Sequence, residues 1–210
     1  MTDLIIIGSD IYASRVIKCI EALIKLGKEI NIKGIIDNNE EKTEVKGYKI
    51  IDKIDNANLY NDENTNFIIA IKDNSIRQEI ADKFKELDYY TVIHPKASIG
   101  ENVSIGKGSI ILEDVTIKNN TKIGDYVIIN SECIIDEEVI IGDYVNLLQA
   151  ATLCKFVKVD SLTTIGKCVL VIGSICIGKK SIVRNSSTVI EDIGDKCIMD
   201  GKIVKNIKNS

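Results

Sequence analysis

An α/β domain with a parallel sheet, followed by an all-β coil of stacked six-residue turns, is the fold that this 210-residue sequence predicts. Two observations carry that prediction. Seventeen aliphatic residues stand six apart without an exception, from Ile93, Ile99 and Ile105 through Leu147 and Leu153 to Val183 and Val189. Ahead of them, short apolar runs alternate with stretches of helical periodicity. Six residues of helix advance about 600°, so an apolar stripe at that spacing would wander off any helix face. Short strands joined by corners keep such residues in register, and stacked coils bury them as one column.

The elements follow in order. Leu4-Ile5-Ile6-Ile7 is a buried strand closed by Gly8-Ser9-Asp10, and Ile11 to Leu26 carries Ile11, Val16, Ile20, Leu23 and Ile24 at helical spacing before Gly27. Ile32–Ile36 is a second strand ending at Asp37-Asn38-Asn39. The polar stretch Glu40–Gly47 loops out, and Tyr48–Ile51 is short and extended. Phe67–Ile71 is another strand, with an amphipathic helix from about Ser75 to Leu87 after Lys72-Asp73-Asn74. Strands alternating with helices imply a parallel sheet, whose ligands bind at the carboxyl ends of the strands. Those ends are Gly8–Tyr12, Asp37–Asn39 and Lys72–Asn74. Asp10 reads either as a helix N-cap or as a carboxylate that opposes a bound pyrophosphate.

The repeats divide the chain into residues 1–91 and 92–210, the latter ending in a Lys/Asn-rich tail from about Cys197. A second column, two residues before each apolar position, holds only small or β-branched side chains such as Val115, Thr121, Cys133, Ala151 and Ser181. Gly100, Gly106, Gly124, Gly142, Gly166 and Gly178 follow the aliphatic residue, where they are expected to give the backbone freedom of a corner. Three hexads make one coil, so residues three hexads apart should stack about 4.8 Å from one another. That period places Tyr126, Tyr144 and Leu162 in an outward apolar ladder with Ala150 and Phe156 nearby, a surface suited to self-association.

Composition excludes several classes of function. A net charge of −4 with interspersed signs offers no basic field for nucleic acid. No apolar run approaches the roughly 18 residues that span a bilayer, and the N-terminus lacks a signal-peptide pattern, so the chain reads as cytoplasmic. Six cysteines without a C-x-x-C pair read as inert buried thiols, with no metal site expected. The one histidine, His94, stands beside the one proline, Pro95, and reads as a structural residue at the domain junction.

With Ile6-Ile7-Gly8, Gly34-Ile35-Ile36-Asp37-Asn38, Ala70-Ile71-Lys72-Asp73-Asn74 with Arg77, and Ile93-His94-Pro95 opening the repeats, the chain resembles the hexapeptide-repeat sugar acetyltransferases. The resemblance is to UDP-amino-sugar N-acetyltransferases of the PglD type and sialic-acid O-acetyltransferases. It implies a Rossmann-like first domain, a left-handed coil, a homotrimer, and acetyl transfer from acetyl-CoA to a sugar or nucleotide-linked amino sugar. In that family a histidine acts as general base. Aligning the family's Ile-Glu-His-Glu-x-x-Ile-Gly stretch with Ile135–Gly142 puts Glu137 where the histidine belongs and keeps the following acid as Glu138. The resemblance further implies substrate contacts at Gly8, Asp37, Asn38, Asn74 and Asn130, and acetyl-CoA contacts at Asn146, Gly166, Gly173, Ser186 and Gly201.

Departures from the family pattern are specific. Asn146 replaces a second histidine, Arg184-Asn185-Ser186-Ser187 replaces a Gly-Ala-Gly-Ser pattern, and Gly201-Lys202-Ile203-Val204-Lys205 replaces a Gly-x-Pro-Ala-Lys tail. Two roles are open to Glu137. Mutual repulsion among Asp136, Glu137 and Glu138 lifts a carboxylate pKa toward the range of a general base, whereas Lys155, one coil further on, stacks over Glu137 as a simple ion pair. Asn130 and Asn146 are either site residues or corner residues with positive φ. Two functions follow, an acetyltransferase without the usual histidine or a non-catalytic relative serving as a binding or scaffold protein.

Overall fold

The computed structural model describes residues 1–201 and 203–206; Lys202 and residues 207–210 of the expected tail lie outside the described residues. It divides into two compact units, Met1–Pro95 and Lys96–Ser210.

In the first unit β1 (Thr2–Ile7), β2 (Ile30–Ile36), β3 (Glu44–Val45), β4 (Tyr48–Asp52) and β5 (Thr65–Ile69) form one sheet in the order β3-β4-β2-β1-β5. The β1, β2, β4 and β5 pairings are parallel. β1 lies inside the sheet between β2 and β5, and Leu4 to Ile7 are fully buried because both faces of the strand are covered. Helix α1 (Ile11–Lys25) begins where the Asp10 carboxylate accepts from the Tyr12 N–H at 2.7 Å, the N-cap geometry that satisfies an orphan donor. It buries Tyr12, Ala13, Val16, Ile17, Cys19 and Ile20, while Ile11 points outward on the first turn. Helix α2 (Asn74–Lys83) is capped by Asp73, which accepts from the Ser75 and Ile76 N–H groups. It stops earlier than its apolar pattern, as Phe84 leaves helical φ/ψ and tucks into the core.

The stretch Glu40–Gly47 is not all loop. Lys46 and Gly47 both have positive φ and close a tight hairpin between β3 and β4, the backbone that a two-residue turn of matching twist requires. A 3-10 helix, Ile54–Tyr60, which periodicity did not show, follows β4.

The second unit is a parallel β-helix built of two-residue strands, each paired with the strand three hexads further along, as in Thr116↔Ile134 and Ile135↔Leu153. Its three faces are the ladders through Ser98, Thr116, Ile134, Thr152, Leu170 and Thr188; through Ser104, Lys122, Ile140, Lys158 and Cys176; and through Ile110, Ile128, Asn146, Thr164 and Ile182. The aliphatic member of each strand points inward, so Ile117, Ile129, Ile135, Leu147, Leu153, Ile165 and Val171 form the core. The coil has the left-handed sense of the hexapeptide-repeat fold.

The column of small residues lines the inner corners, and its hydroxyls are used. Ser109, Thr121, Thr163 and Ser181 each donate to a main-chain carbonyl of the next coil, on Gly124, Asp136, Gly178 and Gly194. The glycines after the aliphatic residues have a different task from the one expected. None of the six has positive φ; a Cβ there would strike the next coil, at 2.8 Å from the Asn119 nitrogen for Gly100 and 2.5 Å from the Gly124 carbonyl carbon for Gly106. Positive φ belongs to the corner position three residues past the aliphatic one, including Asn120, Tyr126, Glu138, Tyr144, Phe156, Leu162 and Lys180. An inter-coil hydrogen bond fixes each of these corners, as from the Tyr126 N–H to the Lys107 carbonyl at 2.8 Å and from the Phe156 N–H to the Glu137 carbonyl at 3.2 Å. Such bonds offset the cost of about 1 kcal/mol or more that an L-residue carries in this region.

The apolar ladder also differs from its expected place. Tyr126 stacks on Tyr144 with ring centroids 5.0 Å apart, but Tyr126 and Leu162 are already buried within one chain, and only Phe156 of the expected set is largely exposed. The uncovered apolar surface lies instead at Ile134, Ile140, Leu170, Ile172 and Ile190. The expected tail is ordered where it is described: Cys197–Asp200 continues the third ladder and turns at Gly201 (φ +64) into the antiparallel strand Ile203–Asn206. Cys19, Cys133 and Cys197 are buried, Cys154 is half-buried, and Cys168 and Cys176 are exposed, which corrects the expectation of uniformly buried thiols. Among the described residues no helix is long and apolar enough to cross a membrane.

Candidate functional site

The carboxyl ends of β1, β2 and β5 meet in the first unit. Gly8 leaves β1 at φ +104 and donates to the Ile36 carbonyl at 3.0 Å, and a Cβ on it would lie 2.6 Å from the Ile71 side chain, so only glycine fits. Asp37 donates its N–H to the Asp52 carbonyl, and its carboxylate accepts from the Asn39 N–H at 2.7 Å in a local turn. Asn38 is turned toward the segment after β4, accepting from the Ile54 N–H at 3.0 Å. Asn74 is the first residue of α2. Gly8 and Asp37 are thus neighbours across the β1–β2 pair, whereas the Asn38 side chain is engaged elsewhere.

Two further residues shape this region: Arg77, which the sequence named with this strand end but gave no role, and Lys42, which it did not place here. Arg77 is 1% exposed and donates from one terminal nitrogen to the Ile71 and Lys72 carbonyls, bracing the loop after β5. Lys42 donates from Nζ to the carbonyl of buried Ser9 at 2.7 Å, far from it in sequence. A lone lysine in a polar stretch gives no periodic signal, so only the fold reveals it.

In the second unit Glu137 stands on the corner between the first and second faces, and Lys155 stacks over it as the period of the coil requires, with Nζ–Oε2 at 2.9 Å and Glu138 at 3.8 Å. The ammonium also lies 5.1 Å from the centre of the Phe156 ring. The partnership with Glu137 raises the Lys155 pKa. Asp136, which accepts from the Glu137 N–H and pairs with Lys118, has its carboxyl lowered, the opposite of the upward shift that mutual repulsion would give. Glu137 and Lys155 are both about two-fifths exposed.

Asn130 and Asn146 are not positive-φ corners. Both are buried, and the Asn130 amide donates to the Leu147 carbonyl at 2.8 Å, tying adjacent coils. Asn146 sits in a strand of the third face, so within one chain these two do not stand beside Glu137. Gly166 abuts the next coil, where a Cβ would be 2.6 Å from the Asn185 nitrogen, and Gly173 stands one coil beyond Lys155 in the corner column, leaving that position without a side chain. Ser186 and Gly201 border a groove of about 570 Å³ with Ser187, Ile190, Ile193 and Met199. Ser187 is 1% exposed and its Oγ has no hydrogen-bond partner among the described residues. The periodic hydroxyl column was the sequence signal for it.

Residues 3–84 match the PglD N-terminal domain family. The match takes in most of the first unit. No curated protein matches the chain. A crystal structure of PerB from Caulobacter crescentus, in complex with CoA and GDP-perosamine, is 25% identical with a TM-score of 0.83, covering 94% of this chain and 93% of that one. The acetyltransferase domain of PglB from Neisseria gonorrhoeae is 21% identical with a TM-score of 0.89 over 98% and 100% of the two chains. WeeI from Acinetobacter baumannii is 18% identical with a TM-score of 0.86 over 98% and 99%. The chain shares its fold with these proteins over nearly the whole of its length.

Proposed function

We propose that the protein is an acetyl-CoA-dependent acetyltransferase acting on a nucleotide-linked amino sugar, working as a homotrimer. The observation that carries this reading is the end-to-end likeness to PerB, whose structure holds CoA and GDP-perosamine, over more than nine-tenths of both chains. The PglD N-terminal domain holds the nucleotide end of the acceptor around Gly8, Asp37, Asn38 and Asn74, where the strands end. Acetyl-CoA, when bound, supplies the acetyl thioester. Gly166, Gly173, Ser186 and Gly201 border its path, Ser187 offers a hydroxyl to one of its amides, and Asn130 on the acceptor side and Asn146 on the thioester side serve a site formed with a neighbouring subunit, since within one chain they stand apart from Glu137. Glu137 accepts the proton that the acceptor amine releases, with Glu138 beside it.

Exposed Ile134, Ile140, Leu170 and Ile172 support the trimer, since side chains of this size gain from leaving water. Sedimentation equilibrium should show a trimer at micromolar concentration; a stable monomer would remove the assembly from this reading.

A second reading has its own observation. The Glu137–Lys155 pair holds the carboxylate in a charged partnership, as in a non-catalytic relative that keeps the fold and serves as a scaffold. Glu137→Gln separates the two. In the enzyme it lowers acetyl transfer by about 10²- to 10⁴-fold, the usual worth of a general base. In the scaffold there is no transfer to lose, and acetyl-CoA leaves the melting temperature unchanged, although a bound ligand at 100 times its Kd would add about 2.7 kcal/mol. Glu137→His should raise transfer if the missing histidine is all that limits the reaction.

A further inference from the structure

We propose that Lys42 binds the diphosphate of the acceptor nucleotide in the first unit, with the ammonium donors that its bond to the Ser9 carbonyl leaves over. The inference rests on the nucleotide-sugar reading above and names the residue that carries the charge recognition.

The first argument is electrostatic. A nucleoside diphosphate brings two or more negative charges to the carboxyl edge of the sheet, and a parallel sheet ordinarily meets them with the first helix N-terminus. Here that place is taken: the Asp10 carboxylate sits on the Tyr12 N–H of α1. A fixed anion repels a second one, so charge compensation has to come from a side chain.

The second argument is which cation is available. Arg77 is enclosed and committed to the Ile71 and Lys72 carbonyls. Lys53 is paired with Glu40 at 2.7 Å. Arg15 lies against the Tyr12 ring. Lys42 differs from all three. Its ammonium crosses from the segment after β2 to the turn after β1, where it donates to one main-chain carbonyl at 2.7 Å. Among the described residues it has no carboxylate partner, because Asp37 accepts from Asn39, Glu40 pairs with Lys53 and Asp10 caps α1. An ammonium has three donors, and two of them are left for a ligand.

The third argument is position. The carbonyl that Lys42 reaches belongs to the residue after Gly8, so the charge stands over the turn whose lack of a Cβ brings backbone close to whatever lies there. A phosphate oxygen carries a full negative charge that a carbonyl oxygen lacks, so the ammonium is attracted to it more strongly. Phosphate oxygens therefore take the two remaining donors, while the third stays on the carbonyl of buried Ser9.

The test is calorimetry on the full chain with GDP, UDP and dTDP, each beside its nucleoside. The expected result is that the diphosphate accepted by the protein binds at least ten times tighter than its nucleoside. Lys42→Met should erase that difference while leaving nucleoside affinity and melting temperature unchanged, and Lys42→Arg should keep most of it. Raising salt should weaken diphosphate binding to the parent protein more than to the Met variant. An unchanged diphosphate affinity in Lys42→Met, an equal loss for nucleoside and diphosphate, or no binding of any diphosphate overturns the proposal. Acetyl transfer read on the same samples keeps the two ideas apart: transfer indifferent to Lys42 removes this inference alone, while Lys42-dependent diphosphate binding without transfer removes the acetyltransferase reading alone.

Discussion

The two units solve the problem of positioning a side chain in opposite ways. In the coil every position recurs each third hexad, so Glu137, Lys155 and Gly173 occupy the same backbone environment in successive coils and differ only in what the corner carries. In the first unit nothing recurs, and Gly8, Asp10, Arg77 and Lys42 each depend on a separate contact of their own. The coil is thus a ruler on which side chains can change without altering the frame. The first unit is a set of individual fits, where a change of residue changes the site itself.

Leu147→Ala should have the largest effect on this contrast. Leu147 is fully enclosed between neighbouring coils, and truncation of such a residue costs about 2–5 kcal/mol. Denaturant unfolding with separate probes of each unit should show the coil transition displaced and that of the first unit unmoved. A common shift would mean that the units unfold together.

Gly124→Ala comes next, because its Cβ would lie 2.8 Å from the Asp143 nitrogen and from the Gly142 carbonyl carbon, which are backbone atoms that cannot rotate away. Overpacking of this kind costs about 1–3 kcal/mol. A neutral result in thermal melts would show that the coils can spread, and would undo the assignment of these glycines to close approach.

In the first unit, Asp10→Ala should cost about 1 kcal/mol by removing the α1 cap. The same substitution also removes the anion beside the turn after β1, so nucleotide affinity should rise as stability falls. A fall in both would make Asp10 a ligand contact instead.

The smallest effect is in acid. Asp52, whose carboxyl is lowered first by the Asn56 amide and then by the Lys53 N–H, belongs to the first unit. Asp136, lowered first by the Glu137 N–H and further by Lys118, belongs to the coil. Their folded values lie below the unfolded value of about 3.9, so their stabilisation is complete above roughly pH 4 and is lost as pH falls through the lower folded values. Asp136→Asn should flatten the acid limb of the coil transition alone, and Asp52→Asn that of the first unit alone. Cys133, pushed up to about 12 by burial, should resist alkylation near neutral pH while exposed Cys168 and Cys176 react.

Strict periodicity made the coil legible in advance. Buried aliphatic residues at every sixth position, strand partners one coil apart and Lys155 over Glu137 all follow from counting, since a stacked coil converts sequence spacing directly into distance. Local chemistry was equally readable at the Asp10 cap, where one carboxylate and one nearby N–H suffice. What the counting missed has a common cause. Positive φ at Tyr126, Phe156 or Leu162 carries no mark in residue type, because an inter-coil hydrogen bond rather than side-chain preference stabilises the corner, and the glycines that suggested it answer to the backbone of the next coil. The burial of Tyr126, the orphan hydroxyl of Ser187 and the bond from Lys42 to the Ser9 carbonyl depend on which groups are brought together from distant parts of the chain. Sequence alone determined the repeat and the order of the two units; the tertiary structure decided which polar groups find partners among the described residues and which do not, because hydrogen-bond satisfaction depends on distance in space and not on separation along the chain.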